Sequence, residues 1–358
     1  MTSWTKVHVR FGSLADIYNA KRFVRSYSKS GHKPSAQRAG LAGGLAKRKY
    51  SFADLWGISR MRGSCMMSAL RLLLVPAVAF VSAFLAPDIA ASAQAGAAKP
   101  NRIKIDYVAP KNPAHQVIYR KLKEIRALEN LREFLSAFRL PRTLLVKTEG
   151  CDGESNAWYE DGAITICYEY IEEIWRTAPS ETTADGITPV DALFGPVTDT
   201  ALHEFGHAIF EIYKLPVFGR EEDAADQVAA YIELQLGKDQ ARRLIGGVAY
   251  AYFTEAKAEA KTPKLERFAN EHATPAQRLY NVMCIAYGAD PKLFGDVVAK
   301  GHLPKERAEG CADEYRQAAF AFETLIGPHL DRKLAQKVLR KSWLPAPKAK
   351  LSSRPSRQ

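Results

Sequence analysis

Thr198-Asp-Thr-Ala-Leu-His203-Glu204-Phe-Gly-His207-Ala-Ile-Phe-Glu-Ile-Tyr213 is the stretch that decides how the chain reads. At its centre is H-E-x-x-H. On a helix, two histidines four positions apart project from one face a turn apart. Both imidazoles then reach a single metal ion, and Glu204 sits beside it as a base. Leu202, Phe205, Ile209 and Ile212 recur at helical spacing and predict a buried stripe, with the histidines at the edge of a cleft. Thr198 or Asp199 is the expected cap at the helix start. Gly206 is the odd residue. Inside a helix it costs about 1 kcal/mol relative to alanine, which makes sense where another backbone has to come close.

H-E-x-x-H is short enough to occur among ordinary surface residues, and a second segment downstream gives it weight. Fifteen positions after His207 lies Glu222, in Arg220-Glu-Glu222-Asp-Ala-Ala-Asp226-Gln-Val-Ala-Ala-Tyr231-Ile-Glu-Leu. Ala225, Ala229 and Ile232 form an apolar stripe that packs this second helix on the first, so Glu222 is placed to be a third ligand. A catalytic zinc takes three protein ligands and keeps a water in its fourth position, and His, His, Glu is one of its ligand sets. Asp226, one turn on, would accept the free N–H of a ligand histidine and fix its tautomer. The competing reading is an acidic, solvated helix face, against which the alanine-rich surroundings argue.

H-E-F-G-H followed by E-D-A-A-D resembles the gluzincin class of zinc metallopeptidases, where the glutamate is the third ligand and the aspartate supports a histidine. More closely, residues 151–328 resemble an uncharacterised bacterial family described as metallopeptidases. Metzincins need a further glycine and histidine, and here Phe210 and Tyr213 occupy those places. The resemblance implies an α+β, mainly helical zincin-like domain with a small β-sheet or hairpin before the H-E-x-x-H helix. It also implies a Zn2+ cofactor and a peptide or protein substrate. By the same analogy, the strand just before the metal helix is the cleft's upper edge, where an extended peptide adds by main-chain hydrogen bonds; residues 163–168 are the expected edge. Glu271-His272-Ala-Thr-Pro-Ala-Gln-Arg278 is similar to a segment that lies near the zinc in other H-E-x-x-H peptidases. His272 is then expected to donate to the oxyanion of the tetrahedral intermediate, and Arg278 to brace Asp226 or the substrate. A helix cap and a surface salt bridge are the alternative roles for the pair.

The N-terminal third reads differently. Residues 1–60 hold twelve Lys or Arg against Asp16 and Asp54, which is ten of the chain's twelve net positive charges. A basic arm for nucleic acid or anionic lipid is one reading, and an over-long reading frame is the other. The adjoining residues favour the second: Met61 to Arg71 is a positive lead, Leu72 to Ala86 an apolar run, and Ala91-Ser92-Ala93 an A-x-A cleavage site. Residues 61–93 are therefore expected to be a secretory signal peptide, with translation starting at Met61, Met66 or Met67. An uncleaved membrane anchor is second choice because the apolar run is short for a bilayer. The expected location is periplasmic or secreted. The mature chain is left close to neutral, which removes the case for a nucleic-acid partner, and no stable membrane insertion is expected after cleavage.

Residues 94–344 are expected to form the metallopeptidase-like domain and 345–358 a basic disordered tail. Strands are expected at 103–108 and 142–148, one helix at 113–138, and a hairpin at Asp161-Gly162. A helix over 240–257 carries Tyr250, Tyr252 and Phe253, expected in the core, and 303–330 is a last helical region. Four cysteines remain after signal removal. Their even number in an exported chain points to disulfides. Of three pairings, Cys151–Cys167 with Cys284–Cys311 is preferred; a four-cysteine zinc site lacks the C-x-x-C spacing. The expected activity is hydrolysis of peptide bonds by a zinc-bound water that Glu204 deprotonates. The alternative is a metal-binding but inactive structural or interaction domain.

Overall fold

The computed structural model describes residues 102–260 and 264–348, all within 89–358, one of two units into which the chain divides. The basic segment 1–60, the signal segment 61–93 and residues 349–358 of the tail lie outside the described residues.

Strands β1 (Ile103–Tyr107), β2 (Leu144–Glu149), β3 (Ala157–Glu160) and β4 (Ala163–Cys167) make one sheet in the order β1-β2-β4-β3. β1 and β4 both run parallel to β2, and β3 runs antiparallel to β4. The reversal at Asp161-Gly162 puts both residues at positive φ, 51° and 78°. A two-residue hairpin requires this, and glycine adopts it without steric cost. The sheet order corrects the expected substrate edge. Residues 163–167 are paired to β2 and, on the other side, to β3, and Tyr168 begins a helix, so the outer strand next to β4 is β3. The physical signal is in the residues: Ala-Ile-Thr-Ile-Cys is buried at nearly every position, as an interior strand must be, whereas Ala-Trp-Tyr-Glu is only half-buried.

The helices are α1 (Gln116–Glu124), α2 (Ala127–Phe134), α3 (Tyr168–Thr177), α4 (Pro189–Tyr213), α5 (Glu221–Leu234), α6 (Lys238–Glu259), α7 (Pro275–Ala289), α8 (Gly295–Ala299), α9 (Lys305–Ala308), α10 (Cys311–Leu325) and α11 (Arg332–Leu339). The single helix expected over 113–138 is broken at Arg126, which sits at φ 54°. The break is held from β1: the Tyr107 hydroxyl accepts the Leu128 N–H at 2.7 Å and donates to Glu129 at 2.7 Å. A tertiary partner thus replaces the intrahelical bond that the first turn of α2 lacks. Phe253, expected in the core, is half exposed, whereas Tyr252 is buried. The expected helical region 303–330 holds two helices and a 3-10 turn, and α11 follows it. Among the described residues no helix is long and apolar enough to cross a membrane.

α4 is the axis of the domain. It starts ten residues before the expected cap, at Thr188, whose hydroxyl accepts the Asp191 N–H while the Asp191 carboxylate accepts the Thr188 N–H. Pro189 takes the first helical position, where no N–H is needed. Asp199, one of the two expected caps, is instead buried in mid-helix. Leu202, Phe205 and Ile209 are fully buried in a core shared with Leu144, Val146 and Ile164 of the sheet. α5 and α6 flank α4, and each crosses it at a glycine. A Cβ on Gly206 would lie 3.1 Å from the Ala225 Cα, and one on Gly247 only 2.0 Å from the Asp191 carbonyl oxygen. Arg243 of α6 closes the second crossing with a buried ion pair to Asp191 at 2.7 Å. A second core cluster behind α5 and α6 joins α7 and α10. The disulfides are Cys151–Cys167 and Cys284–Cys311.

Candidate metal centre

Because Gly206 lets α5 lie against α4, the first two turns of α5 face His203 and His207. The Nε2 atoms of the two histidines are 3.2 Å apart. The Glu222 Oε2 lies 3.0 Å from that of His203 and 3.3 Å from that of His207. Three ligand atoms around a tetrahedral ion at about 2.0–2.1 Å stand roughly 3.3 Å from one another, so this triangle has the size of one face of such a site. Its chemistry fits a cation too. Two imidazole nitrogens aimed at each other across 3.2 Å repel unless a positive charge is shared between them.

The far nitrogen of each ring is fixed by a carboxylate. His203 Nδ1 donates to the Asp226 Oδ1 at 2.8 Å, and His207 Nδ1 to the Glu221 Oε1 at 2.8 Å. Both rings are thereby turned so that Nε2 faces inward, the nitrogen that would be left to a metal. Asp226 is held in turn by Arg278, which donates Nε at 2.8 Å and Nη2 at 2.6 Å, a bidentate fork. His272 is also in the site: its Nε2 is 2.8 Å from the Glu222 Oε2, and its ring stacks on that of His203 with centroids 5.8 Å apart. It is not one of the three residues whose ligand atoms cluster within 4.8 Å of one another, and its side chain is 46% exposed at the mouth.

The charges follow from this arrangement. Burial raises the Glu222 carboxyl, but the three histidines that hydrogen-bond it outweigh burial and hold it far below the usual carboxylate range. Burial likewise raises Asp226, and Arg278 together with His203 brings it down to about 2. Burial works against a charged His203, yet Asp226 and Glu222 pull the imidazole up to about 10. The site therefore carries two carboxylates that stay ionised beside the histidines, a donor set that suits a metal cation. Glu204 differs from them. It is buried, no described residue hydrogen-bonds it, and burial pushes its carboxyl above the ordinary value.

A groove of about 520 Å³ runs between β3 and the metal face of α4, with Trp158 and Tyr159 on one wall and Glu204, His207 and Glu222 on the other. β3 is steadied at both ends. The hairpin holds one, and at the other the Cys151–Cys167 bond and Glu169, which accepts the N–H groups of Cys151 and Gly153, pin the incoming loop. Cys151, Cys167 and Glu169 group closely enough for a metal, but both sulfurs are spent in the disulfide.

The structure brings together all seven site residues read from the sequence: His203, Glu204, His207, Glu222, Asp226, His272 and Arg278. Glu221 is the one that reading missed. Its signal was present as the doubled Glu221-Glu222 in the first turn of α5, with one carboxylate left over once Glu222 is a ligand. No curated protein and no solved structure matches the chain. Residues 107–326, well over half of its length, match the model of a family described as "Putative metallopeptidase", and the chain belongs to that family.

Proposed function

We propose that the chain is an exported, zinc-dependent peptidase. The observation that carries the reading is the convergence of His203 Nε2, His207 Nε2 and Glu222 Oε2 at 3.0–3.3 Å, beside a buried carboxylate that nothing else engages. His203, His207 and Glu222 would hold the zinc, which when bound would act as a Lewis acid toward the scissile carbonyl and lower the pKa of a water toward 7. Glu204 takes the attacking water's proton on its free carboxylate and delivers it to the leaving amine. Asp226 and Glu221 hold the ligand imidazoles at Nδ1, and Arg278 keeps Asp226 ionised. The unpaired main chain of β3 receives an extended peptide as an added antiparallel strand, which lays the scissile bond over Glu204. His272, at the mouth, would turn its Nε2–H from Glu222 to the developing oxyanion once Glu222 holds the metal. Two disulfides and the signal-like segment 61–93 support export, since such bonds persist in oxidising compartments.

Glu204→Gln tests the chemistry apart from the metal. The variant should keep zinc and lose peptide cleavage, measured by mass spectrometry of a peptide mixture. A variant that keeps both zinc and full turnover would remove Glu204 from the mechanism.

A further inference from the structure

On the other side of Glu204, toward the N-terminal half of α4, a second cavity of about 310 Å³ opens between α4, α6 and the segment leading into α7. It shares His203 and Glu204 with the groove, so a side chain next to the scissile bond enters it directly. The positive groups on its wall are already matched. Arg278 spends Nε and Nη2 on Asp226 and lays its guanidinium on the Tyr252 ring at 4.6 Å. Arg267 is ion-paired with Glu259.

The negative groups have no direct ion pair among the described residues. Asp199 is 5% exposed, and the hydrogen bond it receives is a long one, from the Tyr252 hydroxyl at 3.4 Å. Glu255 lines the same cavity on its solvent-exposed side and has no hydrogen bond or ion pair among the described residues. The nearby hydroxyls of Tyr170 and Thr200 satisfy each other at 2.6 Å. For Asp199, buried with one long hydrogen bond and no direct ion pair among the described residues, burial of the charged form costs stability, and a cation brought by a ligand offsets that cost.

We infer that this cavity is the specificity subsite of the proposed peptidase, and that it takes the lysine or arginine side chain of a residue flanking the scissile bond, with its cation reaching Asp199 and Glu255. The inference rests on the peptidase reading. An acidic side chain or a free C-terminal carboxylate would meet two acidic groups that have no ion pair among the described residues, and be disfavoured.

The test uses one peptide sequence with lysine, arginine, norleucine or glutamate placed in turn on either side of a single scissile bond. Cleavage is followed with the zinc-loaded protein, and binding by calorimetry with its Glu204→Gln variant. At one of the two positions the lysine or arginine peptide should exceed the norleucine peptide by at least about tenfold in kcat/KM and in affinity, the scale of one charge-assisted contact. Glu255→Gln and Asp199→Asn should each bring that ratio toward one, and Glu255→Lys should turn preference toward the glutamate peptide. Glu255 lies on an open wall, so its variants keep the test valid if Asp199→Asn fails to fold. Equal handling of lysine and norleucine, or preference for glutamate in the wild type, would overturn the subsite and leave the peptidase reading standing. Preferential binding of the lysine peptide with no cleavage of any peptide would overturn the peptidase reading and leave the subsite standing.

Discussion

Glu221 and Asp226 do the same work for different histidines, but they are not equally placed. Asp226 is mostly buried, with its side chain 21% exposed, forked by Arg278 and bonded to the buried His203, whereas Glu221 is half exposed and bonded to His207. Removing an outer partner of a metal-ligating histidine typically weakens metal binding about 10–100-fold. Asp226→Asn should therefore fall at the upper end of that range and Glu221→Gln at the lower, read by competition with a zinc chelator. Equal and negligible losses would show that the tautomers are set by something else. Glu204 makes a second prediction. Because burial raises its carboxyl, the base becomes protonated, and so ineffective, at a pH above its ordinary value of 4.5. As pH falls, kcat/KM should therefore decline with a midpoint above 4.5, and a pH–rate profile checks this. At this scale the sequence was most legible. Spacing four apart forces His203 and His207 onto one helix face wherever the helix goes, and Glu222 and Asp226 likewise. Glu221 was not legible, because its pairing depends on how closely α5 approaches α4.

That approach is a matter of whole elements, and Gly206 controls it. A methyl there would press on the Ala225 Cα at 3.1 Å and Cβ at 3.3 Å, forcing α5 outward by a few tenths of an ångström. Gly206→Ala gains about 1 kcal/mol of helix propensity and loses about 1–3 kcal/mol to overpacking. Its global stability should change little, while zinc affinity drops because Glu222 rides on α5. At Gly247 the methyl would lie 2.0 Å from the Asp191 carbonyl oxygen, so Gly247→Ala should lose about 3 kcal/mol or more in urea unfolding. Two similar losses would mean that both crossings are equally soft. Gly206 was readable as a close approach because glycine has no other reason to sit in a helix. The start of α4 was not read correctly, since the apolar stretch before Thr198 shows no polar face, and only the Thr188–Asp191 box marks where it begins. The edge strand was misassigned for a related reason. Sequence neighbours place β4 next to the metal helix, but the hairpin folds β3 around to the outside.

At the scale of the molecule, two disulfides fasten regions on either side of the site. Cys151–Cys167 spans 16 residues, a loop whose closure is worth about 3 kcal/mol in the chain-entropy model. Replacing both cysteines with serine should lower unfolding stability by about that much, and should loosen the loop that feeds β3. Unchanged stability would show that Glu169 alone secures the loop. The mainly helical α+β class was legible because the long periodic segments are helices and the strands are short. The placement of a buried Asp199 and an unpaired Glu255 around one cavity was not legible, because it needs α4 and α6 side by side. The central proposal is that a metal is bound by His203, His207 and Glu222. The measurement that tests this most directly is elemental analysis of the purified protein alongside His203→Ala and Glu222→Ala. About one zinc per chain is expected in the wild type, with zinc lost in both variants. A wild type without zinc, or zinc retained after removal of Glu222, would contradict the ligand set on which the proposed catalysis depends.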